Sequence, residues 1–160
     1  TVATYLVFNP IKQKDKIKYD LNSIVAKLFN LLETAVEKRI QNNEAGCWLS
    51  GGLDSSVIAS LARQNVKRLF TFSAGIKNAP DLNYARDMAD YLNSEHHEVV
   101  VSIEDILKVL PEVIYHLESF DPLLVRSSIT NFIVGKESSN YVNKVFKEKK
   151  GMNYLQVMNI

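Results

Sequence analysis

The sequence predicts an α/β protein built on an open, doubly wound parallel sheet with helices on both faces. Three observations carry that expectation. Short apolar runs alternate with longer stretches of helical periodicity along most of the chain, the pattern of parallel strands joined by covering helices. Such crossovers are right-handed, which makes the doubly wound sheet the default arrangement. A segment rich in serine and glycine falls between one strand and the next helix, where open sheets of this kind bind ligands.

The elements follow in order. Residues 2–8 (VATYLVF) read as an edge strand ended by Asn9-Pro10, and residues 11–20 as a polar, basic connector. Residues 1–19 are thus expected to be a strand and linker from an upstream domain. Asp20 caps a helix whose residues Leu21, Ile24, Val25, Leu28, Leu32, Ala35, Val36 and Ile40 recur on one face. Ala45–Leu49 is a short buried strand, Ser55–Gln64 a helix, and Arg68–Ala74 a second strand. After a turn over 75–80, Asp81–Leu92 is helical, with Leu82, Ala85, Met88, Ala89 and Leu92 on one side. Glu98–Val101 forms a third strand. Ser102 and Asp105 have the spacing of a capping box, opening a helix to Leu110. Pro111 suits the first turn of a further helix ending near Glu118. Residues 127–141 are helical and Lys144–Phe146 a fourth strand, after which 147–160 is expected to be a helical fragment of the same domain.

Composition bounds what this protein does. A chain of 160 residues, 46% of them hydrophobic, buries enough surface to fold without disulfides or a structural metal. A net charge of +1 gives no field for gripping a nucleic-acid backbone. No apolar stretch is long enough to span a membrane. The single cysteine, Cys47, lies within a strand and has no internal partner, which fits a reducing, cytoplasmic setting. The chain starts at Thr1 without a signal sequence, so it is expected to be a processed product or part of something longer. His96-His97 is a poor metal pair, because neighbours on an extended segment point to opposite faces. The Lys147–Lys150 run is expected to be a solvated surface.

The chemistry concentrates in Ser50-Gly51-Gly52-Leu53-Asp54-Ser55-Ser56. Glycines let an anion approach the backbone, and the free N–H groups opening the next helix point at it. Ser50, Ser55 and Ser56 add hydroxyl donors. Asp54 would repel phosphate unless a cation intervenes, and a magnesium ion bridging it to phosphate oxygens removes the conflict. There is no GK[ST], which excludes a Walker loop, and no GxGxxG dinucleotide fingerprint.

SGGLDSS matches the SGGxDS pyrophosphate loop of the N-type ATP pyrophosphatases. Together with LFTFSAGIKNAPDLNYARDMADYL and HHEVVVSIEDILKVLPEVIYHLESFDPLLVRSS, it makes residues 20–146 resemble the synthetase domain of glutamine-hydrolysing asparagine synthetases. The resemblance implies an adenine nucleotide α-hydrolase-like fold and a ligase that uses ATP and Mg2+. Its substrates would be aspartate and ammonia: the aspartate side chain is adenylated, pyrophosphate leaves, and ammonia displaces AMP to give asparagine. A glutaminase domain or subunit would supply the ammonia, in a cytoplasmic enzyme with room for a homo-oligomer.

The residue roles carry over position by position. Ser50, Gly51, Gly52, Asp54, Ser55 and Ser56 would hold pyrophosphate, with Asp54 acting through magnesium. Leu49 and Ala74 would flank the adenosine, Ala74 standing where the family has Val or Ile, and Gly75 would permit close approach of the nucleotide. Arg126 matches an arginine near the substrate pocket, where a guanidinium suits a carboxylate or phosphate; a structural partner for Asp121 or Glu118 is its other reading.

The pattern also breaks. The family's amino-terminal cysteine nucleophile has no counterpart, residue 1 being threonine. After the fourth strand the family continues into a second loop, SGEGxDE, where this chain reads KEKKGMNYLQVMNI. An intervening segment is therefore expected to be missing. Two further readings stay open: a related β-lactam or peptide-cyclising synthetase, and a truncated fragment that binds nucleotide without turnover.

Overall fold

A computed structural model describes residues 20–40, 42–148 and 155–159, Glu148 and the last five by their backbone alone. The elements run α1 (Leu21–Glu37), β1 (Glu44–Trp48), α2 (Leu53–Gln64), β2 (Arg68–Gly75), α3 (Pro80–Tyr91), β3 (Glu95–Val100), α4 (Ile103–Leu117), α5 (Pro122–Ser138), β4 (Lys144–Glu148) and β5 (Leu155–Asn159). The expected edge strand over residues 2–8 lies outside the described residues.

The strands form one sheet in the order β3-β2-β1-β4-β5. The pairs β1–β2, β1–β4 and β2–β3 are parallel. The chain moves outward from β1 to β3, then crosses back to lay β4 on the other side of β1. That reversal makes a crevice at the carboxyl end of β1, the place where doubly wound sheets hold ligands.

Alternation along the strands feeds two core layers. Cys47, Leu49, Leu69 and Phe146 face α1, α2 and α3, packing with Val36, Ala59, Leu61, Ala62, Ala85 and Ala89. On the other face Phe70, Phe72 and Val145 pack with Trp48 and Val142. There α5 covers the sheet, its Ser138 Oγ accepting from Trp48 Nε1 at 3.3 Å, and packs on α4 through Val113, Val125 and Ile129. Helices on both faces of a parallel sheet are what the sequence predicted.

Local signals held where they were strongest. Asp20 accepts from the N–H groups of Asn22 and Ser23. Ser102 and Asp105 form the reciprocal capping box of α4. Four expectations need correction. α4 is one continuous helix through Pro111 rather than two; its packing on α5 holds together a turn that the proline deprives of an N–H. α5 begins earlier, at Pro122, because Asp121 caps it by accepting from Leu124 N at 2.8 Å. β3 begins at Glu95, whose carboxylate pairs with Arg68 at 3.0 Å and so tolerates a place in the sheet. The helix expected over 147–160 is not formed at Leu155–Asn159, which instead pairs antiparallel with β4, Val145 opposite Met158. An extended segment beside an open strand edge satisfies its backbone by pairing there.

Candidate functional site

The site grows from the end of β1. Leu49 N donates to Phe72 O at 2.8 Å, carrying the ladder one residue past Trp48. The chain then turns through Gly51, whose φ of +74° lies in the left-handed region. A Cβ at Gly51 would stand 2.6 Å from Asp81 O and 2.8 Å from Tyr84 Cβ, so the loop is pressed against the first turns of α3. Gly52 is the N-cap of α2 and supplies no side-chain acceptor, and Ala79 supplies none to α3. The N-terminal ends of two helices therefore border one loop, and their positive dipole ends favour an anion between them.

The three serines brace this loop. Ser55, 7% exposed, accepts from Ser50 N at 3.3 Å, lies 3.0 Å from Ser50 Oγ, and donates to Gly52 O at 3.1 Å. Ser56 Oγ donates to the same carbonyl at 2.8 Å. Both hydroxyl protons are thus turned inward, and the donors facing outward are backbone N–H groups of the first turn of α2. Asp54, the acidic residue of that turn, is exposed and enters no ion pair among the described residues. An exposed carboxylate beside uncapped N–H groups fits a cation carried on phosphate, since each group then meets its opposite charge.

The remaining predicted residues fall at differing distances from this loop. Ala74 and Gly75 end β2, the strand beside β1. The space where Gly75 would carry a Cβ is filled by Leu82, whose Cγ would lie at 3.1 Å. Leu49 is 1% exposed, its side chain committed to the core. Arg126 sits exposed in the second turn of α5 and pairs with neither Asp121 nor Glu118; Asp121 is engaged as the cap. The structure thus unites Ser50, Gly51, Gly52, Asp54, Ser55 and Ser56 and sets Ala74 and Gly75 alongside. It does not bring Arg126 into contact with them. Asp81 and Tyr84, which flank the loop, carry no linear signal; only the packing of α3 reveals them.

His96 and His97 point to opposite faces. His97 lies against Tyr141, the two rings tilted with centroids 3.8 Å apart, and stacks on Phe72 at 5.4 Å, on the α5 side. His96 bonds Thr71 and Ser73 on the α3 side, and burial holds its pKa below the ordinary histidine value. Cys47 is 1% exposed and its thiol is pushed up to about 12 by burial, a core residue and not a nucleophile. Among the described residues no helix is long and apolar enough to cross a membrane.

Comparison with known proteins agrees with this geometry. The asparagine synthase family profile matches residues 27–146. The chain is 41% identical over 125 residues to the glutamine-hydrolyzing asparagine synthetase of Gallus gallus, covering 74% of this chain and 22% of that protein. It therefore spans about a fifth of the length of the curated relatives it matches. In three dimensions it is similar to an NH3-dependent NAD synthetase from Campylobacter jejuni, with TM-score 0.52, 22% identity, and coverage of 79% of this chain and 56% of that one. A glutamine-dependent NAD+ synthetase from Acinetobacter baumannii, solved with ADP, gives TM-score 0.51 at 16% identity, over 75% of this chain and 24% of its own. At these identities the two structures speak to fold alone, an adenine nucleotide α-hydrolase-like sheet.

Proposed function

Because the chain belongs to the asparagine synthase family, we propose that residues 20–146 form the ATP-activating part of an amide ligase that makes asparagine from aspartate and ammonia. The observation that carries this reading is the SGGLDSS loop at the carboxyl end of β1, at the reversal of strand order, with α2 left uncapped behind it.

In this reading the side-chain carboxylate of aspartate attacks the α-phosphorus of ATP, pyrophosphate departs, and ammonia then displaces AMP from the acyl group. The chain's own part is placement and charge neutralisation. The N–H groups of the first turn of α2 hold the departing pyrophosphate. Ser50, Ser55 and Ser56 keep the loop in its shape through their bonds to one another and to Gly52. Asp54 is the residue to hold Mg2+, which neutralises phosphate charge when bound. The ends of β1 and β2, at Leu49, Ala74 and Gly75, border the adenosine. Arg126, free of ion pairs among the described residues, is available to a carboxylate or phosphate. The relatives are named as glutamine-hydrolyzing, and a glutaminase domain or subunit would supply the ammonia here, in a cytoplasmic enzyme.

The test is ATP–pyrophosphate exchange with aspartate against other carboxylates. Aspartate-dependent exchange is expected, and Asp54→Asn is expected to abolish magnesium-dependent AMP formation while the thermal transition stays unchanged. Full turnover in that variant would remove the role given to Asp54. A second reading, nucleotide binding without turnover, is favoured by one observation: where the family's second loop would follow β4, the chain pairs back on itself as β5. Nucleotide-dependent stabilisation without AMP would select it.

A further inference from the structure

A line of polar groups between the sheet and α3, two of them buried on β2 and two half-buried at β3, is used by none of the chemistry above. Thr71 and Ser73 are 0% and 3% exposed and both point from β2 toward α3. Ser94 Oγ donates to Ala89 O at 3.2 Å. With its one proton engaged there, Ser94 accepts from Thr71 Oγ1, 2.8 Å away. Thr71, its proton placed, accepts from His96 Nδ1 at 2.9 Å. A neutral imidazole with its proton on Nδ1 has a bare Nε2, which accepts from Ser73 Oγ at 3.1 Å. The reverse order would set lone pairs of Ser94 Oγ and Ala89 O against each other. One carbonyl, which can only accept, thus orients the whole chain of bonds.

The register explains why a histidine stands here. His96 lies opposite Thr71 in the β2–β3 ladder, and its ring reaches both Thr71 and Ser73, two successive inward positions of β2. A planar group bonded at both ends resists local twisting of that strand. The next two residues are Ala74 and Gly75, and Gly75 O accepts from Val101 N at 2.8 Å. We propose that His96 is a positioning residue: held as the neutral Nδ1–H tautomer, it locks Ser73 and so fixes the carboxyl-terminal end of β2. This end is a nucleotide seat only on the functional reading given above, on which that part of the inference rests.

The two ring nitrogens can be tested separately in the full chain. An asparagine amide reaches the place of Nδ1, and a glutamine amide the place of Nε2. His96→Gln keeps an acceptor for Ser73, and His96→Asn loses it. Nitrogen-15 NMR of the native imidazole is expected to show the Nδ1–H form at neutral pH. Amide exchange at Ala74 and Gly75 is expected to quicken in His96→Asn and to stay near native in His96→Gln. ATP affinity, read by titration, is expected to fall about tenfold in the Asn variant, the weight of one hydrogen bond, and less than about threefold in the Gln variant. Should His96→Asn fail to fold, Ser73→Ala removes the same link and is expected to behave alike. An Nε2–H tautomer, or equal effects of the Asn and Gln substitutions, overturns the proposal. Native protein that binds no ATP, yet shows the Asn-against-Gln split in amide exchange, overturns the functional reading and leaves the positioning role standing.

Discussion

Two adjacent glycines should respond very differently to alanine, although the loop sequence treats them alike. At Gly51 the backbone φ is +74°, which costs an L-residue with a Cβ about 1–2 kcal/mol. The added Cβ would also meet Asp81 O at 2.6 Å and Tyr84 Cβ at 2.8 Å. Both atoms belong to the frame of α3 and cannot swing aside, so the loop or the helix must shift, an overpacking cost of about 1–3 kcal/mol. The sum, about 2–5 kcal/mol, is a large share of a stability of about 5–15 kcal/mol. Gly52 has an ordinary φ of −83°, and a Cβ there meets only Ser50 Oγ at 3.3 Å. Gly52→Ala should cost less than about 1 kcal/mol, the penalty of a poorer N-cap. Urea unfolding followed by the single tryptophan, Trp48, whose indole is bonded beneath α5, compares the two. A Gly51→Ala protein within about 0.5 kcal/mol of native, or less affected than Gly52→Ala, would refute the idea that the loop is shaped by its contact with α3.

Three further outcomes are expected. Cys47, buried with its thiol pushed up to about 12, should resist thiol reagents in the folded protein at about pH 8 and react once urea unfolds it; rapid labelling of the native state would contradict its burial. Folded His96 resists protonation, chiefly through burial, with Arg86 and His97 acting in the same direction and Glu98 and Asp90 against it, while the unfolded chain titrates near its ordinary 6.5. The unfolded state therefore takes up a proton that the folded state refuses, so stability is full above that value and falls as pH drops below it; denaturant midpoints at about pH 7.5 and about pH 5.5 should differ in native protein and less so in His96→Gln. Pro111→Ala restores an N–H to the middle of α4 at an exposed position and should raise stability by about 1–2 kcal/mol, read as a higher thermal midpoint; a lower one would mean that the proline is itself needed.

What the sequence determined is what acts across a few residues. Asp20 and the Ser102–Asp105 pair reach their backbone partners within three positions, and both caps form where their spacing implied. The two-residue period of a strand was enough to send His96 and His97 to opposite faces. The strand–loop–helix order around SGGLDSS likewise follows from a buried strand, two glycines and a helical run next to one another. Tertiary structure decided everything that depends on a distant partner. The crossing from β3 back to β4 sets the crevice at the end of β1, and no local signal specifies which side of β1 a later strand takes. Gly51 is required by α3, about thirty residues further on, so its necessity is invisible until the helix is packed. α4 runs through Pro111 because it packs on α5, and Leu155–Asn159 is a strand because β4 presents an edge. The line from Ser94 through Thr71 and His96 to Ser73 exists only in the register of β2 with β3. Caps and periodicity are short-range constraints on the backbone, whereas pairing and close packing are choices among long-range partners, and those are made only when the chain closes on itself.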